Sequence, residues 1–223
     1  MRGWMKVALM CGLCLASSLA LAGEEGWKVL FDGKGLDAWT QKATGGWTID
    51  ADGALAWQKG CGYIWTKDQF GNFVLDCDFK VSKGANSGIF IRTAKTGDPV
   101  KTGIEVQILD SVSRDKPSKN DCCSIYDCLA PSKNAEKPVG EWNHVTITCQ
   151  DNKIEIVLNG EKIIDMDLDL WTEAHKNPDG SKNKYNTAYK DMPRRGFIGF
   201  QDHGNAVWYR NIRIKPLEEK KGA

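Results

Sequence analysis

Nine consecutive residues, Phe73-Val-Leu-Asp-Cys-Asp-Phe-Lys-Val81, carry a two-residue period. Successive side chains of a strand point to opposite faces, so Phe73, Leu75, Cys77, Phe79 and Val81 share one wholly apolar face. Val74, Asp76, Asp78 and Lys80 share the other. A strand this long with one greasy face must be buried against a second layer. The chain is therefore expected to be a layered β protein.

The rest of the sequence repeats that choice. Residues 103–110, Gly-Ile-Glu-Val-Gln-Ile-Leu-Asp, set Ile104, Val106 and Ile108 against Glu105 and Gln107. Residues 86–93 set Ser87, Ile89 and Ile91 against Asn86, Gly88, Phe90 and Arg92. Shorter strands are expected at 27–31, 47–49, 54–57, 63–65, 124–127, 196–201 and 207–215, separated by turn signals such as Asp52-Gly53. Residues 142–149 and 153–158 read as a hairpin, and Asn159-Gly160 is a favoured two-residue turn into 161–164. Residues 167–195 lack sustained periodicity and read as a long ordered loop with one helical turn near Trp171. Loops of that length in compact domains are usually functional. There is no internal repeat and no long amphipathic helix. About a dozen short strands predict an all-β fold, best met by a curved two-sheet sandwich.

The first residues are not part of that fold. Arg2 and Lys6 precede an apolar run at 7–15, and Ala20-Leu-Ala22 is a small-residue cleavage signal. This pattern predicts a secretory signal peptide over 1–22 and export to the periplasm or beyond. A single domain is expected over 23–217, with a frayed tail at 218–223. The run is too short to span a bilayer comfortably. Cleavage removes two of the 30 basic residues against 29 acidic ones, so the mature chain is near neutral. No basic patch points to nucleic acid. Six cysteines remain, Cys61, Cys77, Cys122, Cys123, Cys128 and Cys149. In an exported protein these predict one or two structural disulfides rather than a zinc site.

No P-loop, dinucleotide fingerprint, Gly-x-Ser-x-Gly elbow or His-Glu-x-x-His is present. The informative residues are polar ones inside strands: Arg92, Glu105, Gln107, Gln201 and His203. Each alone fits a solvated surface position equally well. Asp202 fits a turn, and Asn86, Tyr126 and Asp127 have similarly plain readings. Their convergence on the non-core face of several strands is what suggests a ligand site.

Several motifs together resemble the 3-keto-disaccharide hydrolase domain family. They are Leu30-Phe-Asp-Gly-Lys-Gly-Leu36 with Trp39, Asn86-Ser-Gly-Ile-Phe-Ile-Arg92, Gly103-Ile-Glu-Val-Gln-Ile-Leu-Asp110, Ile125-Tyr-Asp127, Ala130-Pro-Ser-Lys133, Gly140-Glu-Trp-Asn143, Leu158-Asn-Gly160, Gly199-Phe-Gln-Asp-His-Gly204 and Val207-Trp-Tyr-Arg-Asn-Ile-Arg213. Cys122, Cys123 and Cys128 depart from the pattern beside Tyr126. The resemblance implies a concanavalin-like jelly roll, exported in bacteria, acting on glycosides oxidised at C3. It also implies a partner oxidoreductase that makes the ketone.

A C3 ketone acidifies the C2 hydrogen, so a base can remove it and expel the C1 substituent by elimination; addition of water completes hydrolysis. On this expectation Glu105 is the base, Arg92 and Gln201 hold the C3 oxygen, and His203 is the acid. Asp127 and Gln107 orient sugar hydroxyls, with Asn86, Tyr126 and Asp202 also binding substrate. A divalent metal held by Glu105 and His203 is an alternative electrophile; no metal ligand set is assigned from the sequence. The competing readings on the same fold are a non-catalytic carbohydrate-binding module and a structural or adhesion domain.

Overall fold

The computed structural model describes residues 25–218. The expected signal peptide and nearly all of the expected tail lie outside the described residues. Thirteen strands form two antiparallel sheets. In chain order they are β1 (Lys28–Phe31), β2 (Trp39–Thr40), β3 (Thr48–Ile49), β4 (Leu55–Ala56), β5 (Ile64–Thr66), β6 (Phe73–Val81), β7 (Asn86–Thr93), β8 (Ile104–Leu109), β9 (Asn143–Gln150), β10 (Lys153–Leu158), β11 (Glu161–Asp167), β12 (Phe197–Phe200) and β13 (Val207–Pro216). The eight-stranded sheet runs β11-β10-β9-β6-β13-β4-β3, with β1 on β13; the five-stranded sheet runs β2-β5-β12-β7-β8. The chain is a jelly-roll sandwich, as the alternation implied.

The core lies between the sheets. Leu75, Cys77 and Phe79 of β6 meet Ile89 and Ile91 of β7 and Val106 and Ile108 of β8, all fully buried. Each such side chain contributes about 1.5–3 kcal/mol on leaving water. The hairpin turn at Asn159 and Gly160 has φ of 52° and 84°. That left-handed pair is the geometry that favours Asn-Gly.

Three features depart from the expectations. A four-residue helix, α1 (Pro99–Thr102), precedes β8. The 124–127 segment is held to β8 by a bridge between Ile125 and Val106 rather than forming a strand. The expected disulfides do not form: all six cysteines are buried free thiols. Cys77 and Cys149 sit on neighbouring strands, yet the register places Cys77 opposite Val145 and Cys149 opposite Phe73. Four residues of offset is roughly 13 Å along a strand, about twice what a disulfide spans. These thiols fill the core as small apolar side chains.

Among the described residues no helix is long and apolar enough to cross a membrane.

Candidate active site

Strand register assembles the site on the outer face of the five-stranded sheet. Trp65 of β5 lies opposite Gly199 of β12, Gly199 opposite Phe90 of β7, and Phe90 opposite Glu105 of β8. These four positions form one row across four strands. A second row lies beside it. Gly88 is opposite Gln107, the Gln201 amide donates to the Gly88 carbonyl at 2.9 Å, and Gln201 Nε2 donates to the Tyr63 hydroxyl at 3.1 Å.

Glycines make room for this arrangement. A Cβ at Gly199 would come within 2.2 Å of the Trp65 ring, and one at Gly88 within 2.8 Å of Glu105 Oε1. Trp65 and Glu105 therefore fold over their glycine neighbours. Tyr63 stacks on Trp65 (5.4 Å, 3°), and both meet Phe90 edge-on. Trp65 and Phe90 are buried, yet they lie outside the inter-sheet core. They are an aromatic wall beside a row of polar groups.

Loops close the other side. The amides of Cys123 and Tyr126 donate to the Gln107 and Glu105 carbonyls, extending the sheet past β8. The long loop after β11, with short 3₁₀ turns at Leu168–Leu170 and Tyr189–Asp191, then covers this edge. The Tyr185 hydroxyl donates to the Tyr126 carbonyl at 3.1 Å, and Lys184 Nζ lies 3.9 Å from Glu105 Oε2.

Glu105 is only 4% exposed. Burial raises its pKa from the ordinary 4.5 to about 7, opposed by the Lys184 charge and a hydrogen bond from Gln201. A carboxylate poised there can take a proton near neutrality. Burial also raises the Tyr63 phenol, with Gln201 pulling the other way. The side-chain oxygens Gln107 Oε1 and Gln201 Oε1 are buried and accept no hydrogen bond from the described residues. An orphaned buried acceptor costs about 1–3 kcal/mol. Sugar hydroxyls are donors that would relieve it.

The expected site residues divide. Glu105, Gln107 and Gln201 converge, with half-buried Asn86 accepting a long 3.4 Å hydrogen bond from Gln107 and Tyr126 at the edge. Arg92 does not join them. A bulge between β7 and β12, with Arg92 at φ 50°, turns its side chain away from the expected face. Its guanidinium donates to the carbonyls of Gly71 and Asp151 and to Asn72 Oδ1. Arg92 is a buried strut to the eight-stranded sheet, not a group that holds a substrate oxygen. His203 is exposed on the turn after β12, and among the described residues no hydrogen bond or ion pair ties it to Glu105.

Asp202 accepts from the Trp57 indole and the Gly62 and Gly204 amides. Burial pushes its pKa up, but these bonds outweigh it and leave a lowered value. Asp127, at φ 62°, accepts from the Lys184 amide at 2.7 Å. Both carboxylates are engaged in loop hydrogen bonds, so the pair of free acids used by ordinary glycosidases is not assembled around Glu105 from them. No three His, Cys, Asp or Glu side chains among the described residues cluster to hold a metal.

Tyr63, Trp65 and Lys184 were not singled out from sequence. Tyr63 and Trp65 had a signal, aromatics two apart in a strand; Lys184 had only its position in the long loop. A wide cleft of about 630 Å³ beside Lys28, Asp32 and Lys34 holds no buried titratable group and is not the candidate centre.

Residues 26–215 match the family model described as a 3-keto-alpha-glucoside-1,2-lyase-like domain. A 3-keto-disaccharide hydrolase of Bacteroides thetaiotaomicron is 30% identical, over 87% of this chain and 79% of its own length. A solved structure from Parabacteroides distasonis, provisionally assigned as a glycosyl hydrolase, is 38% identical with a TM-score of 0.77, covering 86% of this chain and 99% of that one. A second from the same organism, with the same provisional assignment, is 27% identical at a TM-score of 0.69, covering 87% and 95%. The fold and the outer-face cluster define a jelly-roll sandwich with one polar, partly unsatisfied face. The chain belongs to the 3-keto-alpha-glucoside-1,2-lyase-like domain family.

Proposed function

We propose that this protein cleaves 3-keto-glycosides, with Glu105 as the general base. The observation that carries the reading is a buried carboxylate, raised to about 7, set beside two buried amide oxygens that lack donors. Glu105 takes the C2 hydrogen as a proton, and the C2–H electron pair moves into the enolate of the C3 ketone. That pair then forms the C1=C2 bond as the C1–O bond breaks. The leaving oxygen takes up the proton that Glu105 removed, and Glu105 is again a carboxylate. Water then adds hydroxyl to C1 and hydrogen to C2, giving net hydrolysis. Such a route needs one base and an electrophile at the enolate oxygen, not two opposed acids.

Gln107 and Gln201 accept from sugar hydroxyls, and the half-buried Tyr63, backed by Trp65, packs against the ring. The substrate must arrive already oxidised at C3, which supports a partner sugar oxidoreductase. The leader-like segment supports export. A purely binding module is disfavoured by the burial of Trp65 and Phe90, which offer no exposed platform.

The test is Glu105→Gln with a nitrophenyl 3-keto-glucoside, following nitrophenol release and the C2 proton by NMR. Loss of both with an intact fold supports the base assignment. Turnover within fivefold of the parent removes Glu105 from the reaction.

A further inference from the structure

Removing Arg92 from the site leaves the enolate oxygen without its expected charged partner. We propose that Lys184 is the electrophile of this reaction, placing its ammonium against the C3 oxygen while Glu105 holds the C2 proton; this rests on the reading of Glu105 above. Three observations carry it.

The first is distance. At 3.9 Å from Glu105 Oε2, Lys184 Nζ is beside the base but too far for a direct hydrogen bond. Its N–H donors are not spent on the carboxylate, and a ketone oxygen one carbon from the attacked hydrogen can reach them. The second is how the ammonium is held. It sits 4.0 Å above the Tyr126 ring and 5.5 Å from Tyr185. Cation–π contact fixes a charge through its electrostatic field without using up its donors.

The third is the anchoring of its backbone. The Lys184 amide is held by Asp127 Oδ2, and the Asp127 amide donates to the Lys119 carbonyl at 2.8 Å. Asn177 Nδ2 donates to the Asp127 carbonyl at 3.1 Å and Asn183 Nδ2 to Asn177 Oδ1 at 2.9 Å. A surface lysine serving only solubility needs no such scaffold. The long loop thus carries the second reactive group, and β8 carries the first.

No bond to Lys184 forms or breaks. Its charge stabilises negative charge on the C3 oxygen as the C2–H pair moves there, and the charge returns to carbon–carbon bonding when the aglycone leaves. A preorganised donor of this kind is worth roughly 10²–10³ in rate. Because the charge is absent in the bound ketone and develops as the proton leaves, the loss falls on kcat rather than on binding.

The experiment compares Lys184→Met and Lys184→Arg with the parent on the nitrophenyl 3-keto-glucoside, measuring kcat, KM and melting temperature. The expected result is a kcat loss of at least a hundredfold in Lys184→Met, KM within threefold, and partial recovery in Lys184→Arg. A kcat loss below tenfold in folded Lys184→Met, or equal losses in the two variants, would overturn the proposal. If Lys184→Met turns over normally while Glu105→Gln is inert, only the role of Lys184 fails. If the parent does not cleave the 3-keto-glucoside at all, the reading of the site fails with it.

Discussion

The outer faces of the two sheets are both built from polar side chains at alternate strand positions, and they differ in how completely those groups are paired. On the eight-stranded sheet, Asp76 and Asp78 of β6 lie between β9 and β13. Asp76 accepts from Thr146, Arg213 and His144; Asp78 accepts from His144, Arg210 and Asn211. Arg210 and Arg213 rest on the Trp142 and Trp27 rings at 4.1 and 4.3 Å. Burial pushes both carboxylates up, but the His144 and arginine bonds outweigh it and lower their pKa values. Each charge of this cluster has partners. On the five-stranded sheet, Glu105 is desolvated with one distant cation and a bond from Gln201 that do not offset its burial, and two amide oxygens go unanswered. The first face is a finished electrostatic structure, whereas the second is left incomplete in a way that a sugar ring can complete. On the proposed function, stability and chemistry occupy opposite sides of one sandwich.

The comparison breaks first at Glu105→Gln. Turnover of a 3-keto-glucoside should fall by about 10³, within the range for loss of a general base. The same change should raise stability at pH 8. The sign follows from the raised value: folded Glu105 keeps its proton to about 7, whereas unfolded it titrates near 4.5. Stability therefore falls as pH rises through that window, by roughly 3 kcal/mol in all. Glu136, raised by burial to about 7, shares the window, so Glu105→Gln removes only part of the slope. Denaturant melts at pH 4 and pH 8 measure it.

Arg92→Met should cost about 3 kcal/mol, since three buried hydrogen bonds from a charged donor are lost. The folded fraction should keep its kcat within threefold. A large kcat loss at full stability would return Arg92 to the site. Gly88→Ala should lower kcat/KM by about tenfold or more, because the new methyl displaces Glu105. An unchanged value would mean that the carboxylate's position matters little.

The smallest effect belongs to the paired face. The Asp76 and Asp78 hydrogen bonds raise His144 from 6.5 to about 9. Its contribution is therefore complete below about 6.5 and disappears as pH rises through about 9. His144→Asn should cost about 1 kcal/mol at pH 6, a figure reduced for the half-exposed ring, and almost nothing at pH 9.5. Activity at pH 7 should not change.

Much of this contrast was legible in the sequence. The alternation in β6, β7 and β8 assigned Glu105 and Gln107 to one face and their apolar neighbours to the other, because that period follows from strand geometry alone. Bulges were not legible. One turns Arg92 out of the expected row. Another, at Asn211 with φ 52°, lets Arg210 and Arg213 share a face although three residues apart. A one-residue insertion in a ladder reverses every assignment beyond it, and no composition signal marks it. Lys184 was hidden for a different reason. Its loop has no period, so where it lands is fixed by the hydrogen bond its amide donates to Asp127, which Asn177 in turn anchors. The cysteines misled because an even count in an exported chain says nothing about register.

The most direct measurement is the titration of the Glu105 carboxyl, followed by carbon NMR on protein labelled at glutamate and assigned by the signal missing in Glu105→Gln. The account predicts a midpoint near 7 in the free protein. A midpoint at or below 5 would mean that the carboxylate is solvated, and the outer face of the five-stranded sheet would then hold no base.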